Sequence, residues 1–305
     1  MFSGDFLQFT PRDWSVLDVR DDRVLLSRPR RAGKGLNEMV VCDPLHRQYL
    51  LLPELPDDLV ASWIDTLMIE GPRFSGSYRE TFLAPPGNDE EAAATEETSF
   101  RVIWMALLQT KPMAVIFSSG TGQWRAIPSL TWSESLPAGF VPSTWMVSFV
   151  SRHYANGRFY WISGSTEKLL VLDIRRVEFS MADHPPCARG VSDDVAIVEA
   201  GQGMTVMFVP KLTHLALLIP FGETTVGVPP NGRWRRRQSR WIMGPCSWVH
   251  AVGRHLLLYR GSFFKPGYFT QDVNTFELER VCDALSRQAY GYCNFPPSLL
   301  SSPTV

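Results

Sequence analysis

No run of apolar residues in this chain approaches the roughly 18 that a membrane-crossing helix needs, so a helical span is excluded. The N-terminus, MFSGDFLQFTPRDW, has neither a basic leader nor an apolar stretch behind it, and a secretory signal is not expected. An excess of one charge is equally missing: 30 lysines and arginines stand against 31 acidic residues over 305 positions. The field of the whole molecule therefore gives no reason to expect nucleic acid or a membrane surface as a partner, and partners must be argued from local features. Cysteines are few. Cys42, Cys187, Cys246, Cys282 and Cys293 show no CxxC or CxxH spacing, and an odd number fits reduced thiols better than a disulfide framework. The expected location is the cytoplasm, the nucleus or both.

Residue patterns that carry catalysis are missing as well. His46, His153, His184, His214, His250 and His255 never fall in HxH or HExxH spacing, and His250 with His255 beside LLLYRG read as positions on a pair of strands. The SSGTG stretch at 118–122 has glycines but no lysine and no following helix, so it reads as a hairpin turn rather than a phosphate cradle. No GxSxG occurs. Hence no catalytic residue, metal ligand or cofactor is assigned and the chain is not expected to be an enzyme. A copper-radical oxidase of the kelch type stands as a minor alternative, requiring distant Cys, Tyr and His residues to meet on loops.

What is present is strand. Val-rich and aromatic runs such as EMVVC, MAVIFSS, LLVLD, MTVMFV and HLLLYRG are short and bounded by Gly, Pro, Asp or Ser. With 23 prolines and 22 glycines spread along the chain, few windows can hold three helical turns. The best of them is PDDLVASWIDTLM, where Asp57 or Asp58 could cap and Leu59, Trp63 and Leu67 share a face.

A recurring frame organises these strands. In VVCDPLHRQYLLLP a strand ends at Asp43, Tyr49 follows six residues on, and Pro53 ten on. VIFSSGTGQWRAIP repeats the offsets with Ser118, Trp124 and Pro128. KLLVLDIRRVEFSMADHPP gives Asp173 and Phe179, with the proline displaced to Pro185 and Pro186. Asp272 with Leu278 forms a looser copy without proline, and MFVPKLTHLALLIP keeps only the spacing from Pro210 to Pro220. The marker residues lie 75, 55 and 99 apart, which fits a unit of about 50 residues if the first gap holds an insertion and the last spans two units. Such a frame describes a hairpin: Asp or Ser at the strand end bonds the turn backbone, and the aromatic returns in the next strand. Two hairpins make a four-stranded blade, which cannot bury its faces alone and stacks against its neighbours. The expected architecture is an all-β, kelch-like β-propeller of about five to seven blades, mainly antiparallel.

Several blocks in order resemble one family. PRDWSVLDVRDDRVLLSR, VCDPLHRQYLLLPELPDDL, TSFRVIWM, VIFSSGTGQWRAIPS, RHYANGRFYWISGSTEKLLVLDIRRVEFS, FTQDVNTFELERVC and YCNFPPSLLSSPTV are similar to successive parts of the F-box-associated β-propeller of plant, especially grass, F-box proteins. The resemblance spans residues 9–305 and implies a single propeller domain over 1–305. It implies a protein-binding propeller, the target-recognition part of an SCF-type (Skp1-cullin-F-box) ubiquitin-ligase adaptor, whose loops hold an unknown target protein. In that family an N-terminal F-box docks on Skp1, whereas residues 1–20 here already resemble the propeller opening and no F-box is detected. Skp1 is then a partner only if an F-box lies upstream. The expectation is a truncated adaptor or a free-standing protein-interaction module.

Two charged segments stand out. Residues 85–99, PPGNDEEAAATEETS, read as an acidic, solvated loop. In NGRWRRRQSRWIMGP, Arg233, Arg235, Arg236, Arg237 and Arg240 interleave with Trp234 and Trp241. Such a run could grip phosphates or stack on bases, but an exposed inter-strand loop or a site for an acidic peptide explains it without nucleic acid.

Overall fold

The computed structural model describes residues 13–29, 37–57, 59, 79–86, 99–108, 111–132, 149–163, 168–183, 195–199, 205–210, 215–221, 237–240, 248–252, 255–260, 267–273, 275 and 277–283. These hold strands alone as extended elements, grouped in five four-stranded antiparallel sheets. Blade 1 is β1 (Ser15–Arg20), β2 (Arg23–Arg28), β3 (Glu38–Asp43) and β4 (Gln48–Leu51); blade 2 is β5 (Arg79–Ala84), β6 (Arg101–Leu107), β7 (Pro112–Ser118) and β8 (Gln123–Ile127). Blade 3 is β9 (Phe149–Ala155), β10 (Arg158–Ser163), β11 (Lys168–Asp173) and β12 (Glu178–Asp183). Blade 4 is β13 (Ala196–Glu199), β14 (Thr205–Pro210), β15 (Leu215–Phe221) and β16 (Arg237–Arg240); blade 5 is β17 (Trp248–Val252), β18 (His255–Arg260), β19 (Gly267–Asp272) and β20 (Leu278–Cys282). The fold class is the β-propeller, each blade a meander of four consecutive strands.

The chain divides into two compact units, Met1–Thr144 with Tyr290–Val305, and Trp145–Ala289. In the first, β1 of blade 1 lies beside β5 of blade 2; in the second, β13 touches both β9 and β17. Within each unit the first strands of successive blades thus lie against one another. Middle strands are covered on both faces, which is why β6 and β7 read as the unbroken apolar runs RVIWMAL and PMAVIFS rather than alternating. The core of the first unit joins Leu25, Met39 and Val41 of blade 1 to Val102, Trp104, Val115, Phe117 and Trp124 of blade 2. That of the second joins Tyr160, Ile162, Leu169 and Val171 of blade 3 to Ile197 and Met207 of blade 4.

The repeating frame is the outer hairpin of a blade. Cys42 pairs with Tyr49, Phe117 with Trp124, Leu172 with Phe179 and Gln271 with Leu278, so all four copies share one register. The Asp side chains cap the turns: Asp43 Oδ1 accepts from His46 N, Asp173 Oδ1 from Arg175 N and Arg176 N, and Asp272 Oδ1 from Thr275 N, at 3.0–3.1 Å. Blade 4 has no copy, which accounts for the long gap before Asp272. The Pro210–Pro220 frame needs correcting: it spans the inner hairpin β14–β15, where Pro210 faces Ala216 and Pro220 faces Val206. A proline spacing alone does not tell one hairpin of a meander from another. The proposed helix at 57–69 lies outside the described residues beyond Asp57 and Leu59, and Leu59 packs against the core of the first unit.

The fourth turn residue takes the left-handed conformation in three copies, at Arg47 (φ 52°), Gly122 (φ 70°) and Val177 (φ 57°). In two of them its N–H closes the loop onto the capping residue, Gly122 N to Ser118 O and Val177 N to Asp173 O, both 2.8 Å. Glycine adopts this conformation freely; a β-branched valine does not. Exchanging Val177 for asparagine, which tolerates the left-handed region, is therefore expected to raise stability by about 0.5–1 kcal/mol in urea titration. Gly122→Ala is expected to lower it by a similar amount, although an added Cβ would meet nothing within 4 Å. Equal stability of both variants to the parent would count against this turn geometry.

Candidate functional site

Among the described residues, those that the sequence singles out form scaffolding rather than one site. Trp124 and Phe179 are buried, at 7% and 8% exposure, and Tyr49 is half-buried. Asp173 is held from three sides, since its Oδ2 also accepts from Arg158 Nε at 3.0 Å. Burial works against its charge, yet the Arg176 N–H, the Arg158 guanidinium and the Arg175 N–H hold its carboxyl below the usual range. Beside it, burial pushes the Tyr160 hydroxyl above its ordinary value. The Asp–basic pairing recurs across strands in two blades, Arg158 opposite Asp173 and His255 opposite Asp272 with Nε2 and Oδ2 3.6 Å apart, while in blade 2 the position opposite Arg101 is held by Ser118.

The other histidines remain separate. His46 Nδ1 lies 2.8 Å from Asp43 Oδ2 in its turn, His153 is buried in β9, and His250 faces Leu257 rather than His255. His184 and His214 lie outside the described residues, as do Cys187, Cys246 and Cys293. Cys42 is buried, which pushes its thiol up to about 11, whereas Cys282 is exposed on β20. No group of three or more His, Cys, Asp or Glu among the described residues is placed to hold a metal ion. No helix among them is long and apolar enough to cross a membrane. The acidic segment joins β5 to β6, with residues 87–98 outside the described set. Of the basic run, Arg237 and Arg240 belong to β16, opposite Leu218 and Leu215, and residues 222–236 and Trp241 lie outside that set.

A concave site does exist between blades 1 and 2, within the first unit. At the end where β1 and β5 begin, a cleft of about 350 Å³ opens between them. Met39 from β3 and Trp104 from β6, both nearly fully buried, line it with half-buried Leu17 from β1, giving an apolar interior. Ser27, Thr81, Asn37, Glu80 and Arg79 add polar atoms. Strand register explains part of this convergence. Thr81 is paired with Trp104 and Arg79 with Ala106, so Arg79 and Thr81 share with Trp104 one face of blade 2. Ser27 is likewise paired with Met39 on blade 1. At the same end of blade 1, Arg28 donates through Nε to Glu38, and its guanidinium lies over the Trp14 ring at 4.7 Å.

Sequence reasoning singled out none of these cleft residues. They come from five strands and one loop, with no local motif to join them, and only the pairing of blades brings them together. A second overlooked signal was local: Asn156-Gly157, both at positive φ, is the two-residue turn between β9 and β10.

No family model and no curated protein matches the chain. Solved structures similar to it include the β-propeller domain of the Trilobed protease from Pyrococcus furiosus, at 10% identity and TM-score 0.44 over 92% of this chain and 76% of that one. An uncharacterized protein from Listeria monocytogenes is similar at 10% identity and TM-score 0.46, over 92% of this chain and 69% of that one. The six-bladed propeller lectin of Aleuria aurantia is similar at 10% identity and TM-score 0.41, over 87% of this chain and 76% of the lectin.

Proposed function

We propose that this chain is a protein-recognition module that catalyses no reaction, and that it serves as the target-binding part of a ubiquitin-ligase adaptor of the Skp1-cullin-F-box type. The observation that carries the reading is the cleft between blades 1 and 2. Its apolar interior of Leu17, Met39 and Trp104 with Asn37 and Arg79 exposed beside it has the make-up of a site for side chains of another protein: an aromatic and aliphatic pocket, a polar margin and an available arginine. The ligase assignment rests on the family resemblance of the sequence blocks. It implies a cytoplasmic or nuclear site of action and an F-box acting with this chain in one assembly.

The test uses the chain fused behind a Skp1-binding F-box and isolated from cells with Skp1. The expected result is a co-purified target protein that carries ubiquitin, and loss of that target when Asn37→Trp fills the exposed margin of the cleft. A target retained by the Asn37→Trp variant would remove the cleft from the reading. A target bound reproducibly but never ubiquitinated would leave recognition standing and remove the ligase role, making the chain a free-standing interaction module.

A further inference from the structure

We infer that the cleft between blades 1 and 2 takes an extended peptide segment of a protein partner in which an apolar side chain stands next to a carboxylate. This rests on the protein-recognition reading above and names the chemistry of its ligand.

The charged groups at the cleft differ in whether the chain itself already engages them. Arg28 is engaged by Glu38 and stacked on Trp14. Glu80 also has its interaction within the chain. Arg79, exposed at the first position of β5, forms no ion pair among the described residues. Lys111 precedes β7 and sits at the same end of blade 2, because Leu107 pairs with Pro112 where Ala106 pairs with Arg79. The exposed charge among the residues that line the cleft is therefore positive, that of Arg79, with Glu80 half-buried beside it, although the chain as a whole is close to neutral. A guanidinium presents a planar fork that matches a carboxylate with two parallel hydrogen bonds. Behind it, Trp104 and Met39 provide a buried ring and a thioether, surfaces that accept an aliphatic or aromatic side chain of varied shape. A volume of about 350 Å³ is at the small end for ligand sites, room for one or two side chains rather than a folded element. A carboxylate seated on Arg79 and an apolar neighbour turned inward together use both features. The strand ends that flank the chain's own acidic segment, Ala84 and Arg101, pair with each other at the end of blade 2 opposite to Arg79.

The experiment is selection of a random nonapeptide library on the full chain, followed by fluorescence anisotropy with the enriched peptides. Enrichment of Asp or Glu beside Leu, Ile, Met or Phe is expected. Arg79→Glu is expected to weaken those peptides about tenfold or more, and exchanging their acid for Lys or Arg to restore binding to that variant. Circular dichroism of Arg79→Glu checks the fold, and Arg79→Gln, which removes charge without reversing it, should lie between the two. Acidic peptides that bind Arg79→Glu as well as the parent would overturn the inference and leave protein recognition intact. So would enrichment of peptides without acid that Asn37→Trp blocks. Displacement of the peptides by free glutamate or inorganic phosphate at the peptide's own affinity would identify a small-anion site instead and overturn it too. A library with no enrichment over heat-denatured chain would overturn both readings.

Discussion

Trp124→Ala is expected to lower the stability of the chain by about 3–5 kcal/mol, the usual cost of truncating a large buried aromatic. Trp124 stands on the outer strand of blade 2, where solvent exposure would be the default, yet it is 7% exposed. Its ring meets Phe117 at 5.4 Å and a 54° tilt. Its Nε1 donates to Pro53 O at 2.9 Å, binding blade 2 to the segment that leaves blade 1. Alanine removes the ring, opens a cavity beside Phe117 and deprives the Pro53 carbonyl of its donor. Trp124→Phe keeps most of the packing and loses the hydrogen bond, so a cost near 1 kcal/mol separates the two contributions. Phe179, in the same register of blade 3 and packed 6.5 Å from Trp161, should respond as Trp124 does. Tyr49, only half-buried, should cost less. Urea denaturation of the three alanine variants measures this, and a loss below about 1 kcal/mol at Trp124 would show that it does not join the blades.

The second large effect is expected at Asp18. This residue lies on β1, is 8% exposed, and its Oδ2 accepts a hydrogen bond from Leu83 N of β5 at 2.8 Å. A carboxylate in such a place is costly to bury and is retained where it satisfies a group that has no other acceptor. Asp18→Ala leaves the Leu83 N–H buried without its partner, and a loss of about 2–3 kcal/mol is expected. Asn keeps an acceptor of the same shape, so Asp18→Asn should cost about 1 kcal/mol less than alanine. Urea titration gives both values, and hydrogen exchange at the Leu83 amide should accelerate in the alanine variant. A loss below about 0.5 kcal/mol in Asp18→Ala would mean that the bond between the blades carries no stability.

The fold class was legible because hairpins are local. Asp43 and Tyr49, Ser118 and Trp124, and Asp173 and Phe179 lie within a few residues of each other, and one register serves the turn caps of Asp43 and Asp173 and the burial of Trp124 and Phe179. Five sheets among the described residues agree with the five to seven blades that the repeat spacing suggests. The Pro210–Pro220 window was misassigned since proline marks the ends of inner and outer hairpins alike. Val177 shows a different limit: nothing in its residue type announces a left-handed turn, and only the position of Gly122 in a sister copy does so. The cleft was illegible for a third reason. Leu17, Ser27, Met39 and Trp104 are ordinary strand residues, and their convergence depends on β1 lying beside β5, across the whole linker from blade 1 to blade 2. Asp18 belongs with them, as its partner Leu83 is 65 residues away.

Each sheet is completed by four consecutive strands, and this bears on how the chain is made as well as on how it stands. Every strand pairing within a blade joins neighbours in sequence, so blade 1 needs nothing beyond Leu51 to form all its ladders. Closing such short loops costs little entropy, and contacts between near neighbours form quickly. During synthesis the β1–β4 meander can therefore assemble before β5 has left the ribosome, with the bond from Asp18 to Leu83 added when the next blade arrives. Birth order along the polypeptide and spatial order through the blades of each unit are then the same sequence of events.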